Sequence, residues 1–277
     1  MSSLTITRTI AARPEIVFDA LIEPEGLKMW IGPDEGPVLI AESDGRVGGK
    51  FLLRFQMLDG SEHEAAGEYL EVERPRKLAM TWQWQNHDDR TVSRIDVLLR
   101  AISVGTQLTF THSQLPNDEE RDGHRDGWNG SLDKLVNALD KRAIAEGMRA
   151  WAKAITAKDA DAVADHYASD VVAFDLPPPL KTVGFDGKAL EAWFNTWDGP
   201  IGYDIADQNI TVSGRLAVAA SLNHMTGKKV DGEQVDLWTR STVCFRKVGA
   251  KWDVIHVHNS VPLQMDGSGK AATDLKP

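Results

Sequence analysis

Cysteine is almost absent from this sequence. Cys244 stands alone, which excludes an internal disulfide and a cysteine zinc cluster. It lies in the strand-like run STVCFRKV, where a small buried hydrophobe is the ordinary role. Long apolar runs are also missing: none approaches the ~20 residues of a membrane span. The opening MSSLTITRTIAARP has no apolar signal core, so a cytoplasmic location is expected. Positive charge is in deficit, with 31 Lys and Arg against 41 Asp and Glu, a net charge of −10. Such a chain is not built to hold nucleic-acid phosphates or anionic lipid. There is no glycine-rich phosphate loop, no G-x-S-x-G elbow and no H-E-x-x-H pair. The expectation is therefore a protein with no cofactor, no resident metal, no nucleic-acid partner and no membrane partner.

What is present is the composition of a soluble globular protein of 277 residues, 42% hydrophobic and 26% charged, long enough for two ordinary domains. Tryptophan is abundant: nine, against three tyrosines. Trp82 and Trp84 fall two apart and share one face of a strand. Such rings either fill a core or line a cavity for a flat apolar ligand.

The first half alternates throughout. LTITRTI reads as a strand, and RPEIVFDALIEPEGLKMW as two short helices with Pro14 as a start and Pro24 as a stop. Then come KFLLRFQM, HEAAGEYLEVE, KLAMTWQWQ, TVSRIDVLLRA and TQLTFTHSQ, separated by Gly, Asp and Pro turns. One face carries Phe51, Leu53, Phe55 and Met57, then Leu78, Met80, Trp82 and Trp84. It continues with Ile95, Val97, Leu99, Leu108, Phe110 and His112. A long helix follows, with His124, Trp128, Leu132, Leu135 and Leu139 on one stripe. A curved antiparallel sheet wrapped on that helix buries the stripe. Phe55, Met80, Trp82, Trp84, Phe110, His112 and Trp128 are the candidate ligand-binding residues there. His112 and His124 either meet in this cavity or are satisfied core histidines.

The ordered segments AARPEIVFDALIEPEGLKMWIGP, GEYLEVERPRKLAMTWQW and THSQLPNDEERDGHRDGWNGSLDKL resemble the START-like (SRPBCC) superfamily. The branch they resemble is named after the activator of the ninety-kilodalton heat-shock protein ATPase. The resemblance covers about residues 4–142 and implies a helix-grip fold with an apolar cavity. The basic, asparagine-rich segment that eukaryotic activators use on the chaperone is not visible. Bacterial relatives imply binding or cyclisation of small hydrophobic molecules.

The second half begins without a linker, and Gly147 is the only weak point in the helical run that crosses into it. Met148, Trp151, Ala152 and Ile155 form the stripe of a new helix. DADAVADHYASD reads as a helix, VVAFDL as a strand and KALEAWFNTW as a helix. Three alternating segments, GRLAVAASLNHM, QVDLWTRSTVCFRKV and KWDVIHVHNSVP, complete an α+β cone. Residues 143–264 resemble the SnoaL-like and nuclear-transport-factor-two-like superfamily. They are similar to the association domain of calcium/calmodulin-dependent protein kinase II, on the pattern KWDVIHVHNS. Strict alternation would put Ile255, Val257 and Asn259 on the cavity side and Trp252, Val254, His256 and His258 outside. An i, i+2 histidine pair lacks a third zinc ligand nearby. The resemblance implies dimerisation through the outer face, hence a homodimer. A hairpin at VGAK would set Arg240 opposite Asn259, beside Trp238. Arg240 is then either a cavity cation or an ordinary surface arginine.

Ketosteroid isomerases share this cone. Their resemblance sets Asp175 at the general-base position and Trp151 at the oxyanion-hole position, where an indole N–H replaces a phenol. Asp175 is either that base or a turn residue ending a strand before PPP. The expectation is an α+β protein: residues 1–142 a helix-grip domain, 143–264 a cone, and 265–277 a disordered tail. Its expected function is to bind a small hydrophobic or aromatic molecule, with cofactor-free acid–base cyclisation, isomerisation or dehydration as the chemistry if it is an enzyme. The alternative is a non-enzymatic binding or stress-related, co-chaperone-like module.

Overall fold

The computed structural model describes residues 1–86 and 91–277. Two compact units divide the chain, Met1–Asp140 and Lys141–Pro277.

The first unit opens with β1 (Ser2–Ile10), α1 (Pro14–Ile22) and α2 (Pro24–Leu27). Six further strands follow: β2 (Val38–Ser43), β3 (Lys50–Gln56), β4 (Glu62–Glu73), β5 (Lys77–Trp84), β6 (Ser93–Ile102) and β7 (Gly105–Leu115). They form one antiparallel sheet in the order β1-β7-β6-β5-β4-β3-β2. The 40-residue α3 (Asp118–Ala157) begins in this unit and continues into the second. Asn117 caps it, its Oδ1 accepting from the Glu120 N–H at 2.9 Å, and three acidic residues occupy the first turn. The period-two face and the helical stripe meet in one core. Phe51, Leu53, Leu78, Trp82, Ile95, Val97, Leu108 and Phe110 are buried with Trp128, Leu132, Leu135 and Leu139. This is the helix-grip arrangement.

The second unit contains the rest of α3, then α4 (Ala160–Ala164), β8 (Tyr167–Phe174), β9 (Thr182–Val183) and α5 (Gly187–Phe194). A meander follows: β10 (Trp197–Ser213), β11 (Leu216–Lys229), β12 (Gln234–Val248) and β13 (Lys251–Ser260). The sheet runs β10-β11-β12-β13-β8-β9, with β13 and β8 parallel. This is an α+β unit with two buried clusters, one around Phe245 and Trp252 and one around Phe194 and Trp197.

Three differences from the sequence reading have physical causes. The segment expected as a helix through DADAVADHYASD is helical only to Ala164, because Tyr167 starts β8 and pairs with Val254 of β13. β10 was not expected at all. Its Gly199, Pro200 and Gly202 look like breakers, but the sheet absorbs them where the register with β11 shifts, between Asp198 and Gly202. The tail beyond Met265, expected to be disordered, is held by a bridge between Leu263 and Ala271, burial of Ala272, and an ion pair of Lys276 with Asp236.

No helix among the described residues is long and apolar enough to cross a membrane.

Candidate functional site

The first unit holds a cleft of about 540 Å³. β3 supplies Phe55, β4 His63, and β5 Trp82 and Trp84; the segment after α2 supplies Ile31, Gly32 and Pro33; α3 supplies the wall from Glu120 to Ser131. Strand pleating explains the aromatic side, since Trp82 and Trp84 project from the same face of β5. Their rings meet edge to face at 5.3 Å, and Trp82 meets Trp128 at 4.9 Å. Phe55 stacks on His63 at 5.5 Å and approaches Trp84 at 6.3 Å.

The opposite wall is set by two devices. Gly130 in α3 has its Cα so close to the Pro33 carbonyl that a Cβ would sit 2.3 Å from that oxygen. Lys134, one turn further on, donates to the carbonyls of Ile31 and Asp34. Burial lowers the Lys134 pKa, opposed by the nearby charges of Glu35 and Asp34.

Behind the cleft runs a polar relay. The Trp128 indole N–H donates to His112 Nδ1 at 3.0 Å. Nε2–H of His112 therefore donates to Ser93 Oγ at 2.7 Å, and the Ser93 hydroxyl donates to the Trp82 carbonyl at 3.0 Å. Burial pushes the His112 pKa down to about 3, with His124 adding to the effect. His124 is also fixed: Trp84 Nε1–H donates to its Nε2 at 3.2 Å, and its Nδ1–H donates to the Glu120 carbonyl at 2.8 Å.

Of the residues expected to bind ligand in this unit, Phe55, Trp82, Trp84 and Trp128 line the cleft. Met80 and Phe110 do not. They border a void of about 20 Å³ in the packed interior, space for little more than one water. His112 is fully buried in the relay, with both ring nitrogens engaged. Pattern alone cannot tell a cleft wall from a core layer on the same pleated face. His63, Glu120 and Asp126 were missed because only the tertiary fold brings β4 and the start of α3 to the aromatic wall.

The second unit gathers a different set. Ser221 Oγ donates to Asn223 Oδ1 at 2.9 Å, and Asn223 Nδ2 donates to the Tyr203 hydroxyl oxygen at 2.9 Å. The Tyr203 proton is left free to donate onward. Burial pushes the Tyr203 pKa up to about 12, and it raises Tyr167 further still, with the charge of Asp175 adding to both. The Trp151 ring meets Tyr203 edge to face at 5.1 Å. Its indole N–H is buried without a full hydrogen bond, near enough to Tyr167 to offset part of that rise. Asn259 Nδ2 donates to Asp175 Oδ1 at 3.2 Å, and Asn259 Oδ1 is buried without a partner. Trp151, Asp175 and Asn259 thus come together around two phenols. Asp175 lies exposed at the rim.

Arg240 and Trp238 are not part of this set. A bulge at Ile255 breaks the alternation assumed from sequence, because Val254 pairs with Phe245 but His256 pairs with Cys244. Asn259 therefore faces Ser241, and Arg240 pairs with Ser260 on the opposite face, where it is exposed. Trp238 stacks on His224 at 4.4 Å on that same outer face. Trp252 and Val254, expected outside with the histidines, are buried with Val257. Ile255, expected to face the cavity, is the bulged residue itself. His256 and His258 lie on the outer face, and His256 Nδ1–H donates to the Val172 carbonyl at 2.8 Å. Among the described residues, no three His, Cys, Asp or Glu side chains gather as a metal site.

Residues 11–140 match the family model described as Activator of Hsp90 ATPase homolog 1-like protein. Residues 144–264 match that of the SnoaL-like domain. Among solved structures, an NTF2-like protein of unknown function from Pseudomonas putida KT2440 is 32% identical, covering 48% of this chain and 94% of its own, with a TM-score of 0.44. The AHSA1 protein of Silicibacter pomeroyi is 26% identical over 49% of this chain and 95% of its own, with a TM-score of 0.45. A protein of Chromobacterium violaceum is 25% identical over 49% and 96%, with a TM-score of 0.45. No curated protein matches the chain.

Proposed function

We propose that this chain, an Activator-of-Hsp90-ATPase-like domain fused to a SnoaL-like domain, binds a small hydrophobic or aromatic molecule in the cleft of its first domain. The observation that carries the reading is the cleft itself. Its volume of about 540 Å³ lies within the range of small-molecule sites, and its walls are largely apolar, with four aromatic side chains and a few polar groups. Titration with a small aromatic ketone should quench the tryptophan fluorescence of the full chain, and Trp84→Ala should weaken that binding about tenfold. Native mass spectrometry of freshly purified protein should show a carried-over compound. No quenching by any apolar probe, together with a bare native mass, would remove the reading.

Cofactor-free proton chemistry in the second domain is a second reading, supported by two buried phenols beside Asp175. Phenols held protonated would donate to a developing oxyanion. Asp175, steadied by the Asn259 amide, would take a proton from carbon or oxygen. Tyr203→Phe and Asp175→Asn should each suppress turnover of a compound recovered from the protein and leave binding in the first-domain cleft intact. Unchanged turnover in both variants excludes a site here.

A further inference from the structure

The fixed charges on the walls of the first-domain cleft are of one sign. Among the described residues lining it, Glu120 and Asp126 are carboxylates, and there is no lysine or arginine. His124 is held in place by two hydrogen bonds, its Nε2 accepting from Trp84 and its Nδ1–H donating to the Glu120 carbonyl. An anionic guest would meet two carboxylates and no lysine or arginine.

Four aromatic rings contribute to the remaining wall. Trp82, Trp84 and Trp128 carry the side-chain type whose quadrupole attracts cations most strongly, and Phe55 adds a fourth ring. A third, independent feature is the Trp82 indole. The side chain is 3% exposed and borders the cleft, yet its Nε1–H is buried without a hydrogen-bond partner. A buried donor left unpaired is costly, and native structures supply an acceptor. A bound ligand with an oxygen acceptor would supply it once the ring turns enough to bring the enclosed Nε1–H into the cleft.

We propose that the cleft takes a hydrophobic organic cation: an amine or quaternary ammonium group joined to a flat apolar body that carries a carbonyl or ether oxygen. The cationic head sits among the ring faces toward Glu120 and Asp126, and the oxygen accepts from Trp82. This rests on the binding reading above and names the chemical class of its ligand.

The test uses the full chain and three probes of nearly one shape. Phenacyltrimethylammonium is the cation, neopentyl phenyl ketone its uncharged isostere, and benzoylpropionate the anion. Calorimetric titration should give the cation about tenfold tighter binding than the ketone, with the anion weakest. Glu120→Gln combined with Asp126→Asn should shrink the gap between cation and ketone to about threefold or less and leave ketone affinity unchanged. Trp82→Phe keeps the ring and removes the donor. It should weaken cation and ketone alike, with an unchanged melting temperature showing that the fold survives. Ketone binding equal to or tighter than that of the cation overturns the cation assignment and leaves the binding reading standing. A cation preference that survives the double substitution also overturns it. Failure of all three probes to bind overturns both.

Discussion

His112 carries an imidazole into an apolar core and keeps it neutral. Its two nitrogens are committed, one as acceptor from Trp128 and one as donor to Ser93, so protonation would turn the Trp128 contact into a clash of two donors. The folded pKa, down to about 3, lies below the unfolded value of about 6.5. Between those values the unfolded chain takes up a proton that the folded chain refuses. The stability contributed is fully present above about pH 6.5 and is lost as pH falls, by about 1.4 kcal/mol per pH unit. Urea unfolding from pH 6 to pH 4 should show wild-type protein losing stability more steeply than His112→Asn, by up to that slope. His166, whose pKa is also lowered by burial, is common to both proteins and cancels. Parallel curves would mean that His112 titrates normally.

Among the elements, α3 makes the sharpest contrast between propensity and packing. Helix propensity alone says that alanine should improve any interior glycine. Gly147 has open space where a Cβ would go, and Gly147→Ala should stabilise by about 0.5–1 kcal/mol. At Gly130 the Pro33 carbonyl blocks the same methyl, so Gly130→Ala should destabilise by about 1–3 kcal/mol and loosen the Pro33 wall of the cleft. Chemical denaturation of the two variants measures both signs, and equal shifts would show that the close approach is relaxed in solution. The strands show how far alternation carries a reader. β3, β6 and β7 keep a strict inner face through most of their length, and the tryptophan wall was legible from Trp82, Trp84 and Trp128 alone. The second domain's site was not. Tyr203 sits on β10, whose glycines and proline hide it, and Arg240 was misplaced because nothing in KWDVIHVHNS announces one surplus residue.

At the scale of the whole molecule, each unit has its own core and the chain carries a net charge of −10. We propose that two chains pair through the outer face of the second sheet, where His256 and His258 lie and where Phe174 and Val218 are 38% and 43% exposed. Light scattering at micromolar concentration should give about twice the 30.5 kDa chain mass, and a charged substitution, Val218→Asp, should return it to one. A strict monomer for the wild-type protein excludes the pairing.

The bulge at Ile255 has an evolutionary consequence. Removing a single residue from a strand ordinarily turns every following side chain inside out. Ile255 is the exception, because Val254 and His256 already pair with adjacent residues of β12. Its loss would flatten the strand yet leave each of those partnerships as it is. A descendant of this sequence could therefore shed Ile255 and keep both faces of β13, whereas shedding Val257 would bring His256 to the inner position opposite Val243. Length variation within this strand has one permissive address, and relatives one residue shorter should carry their gap there.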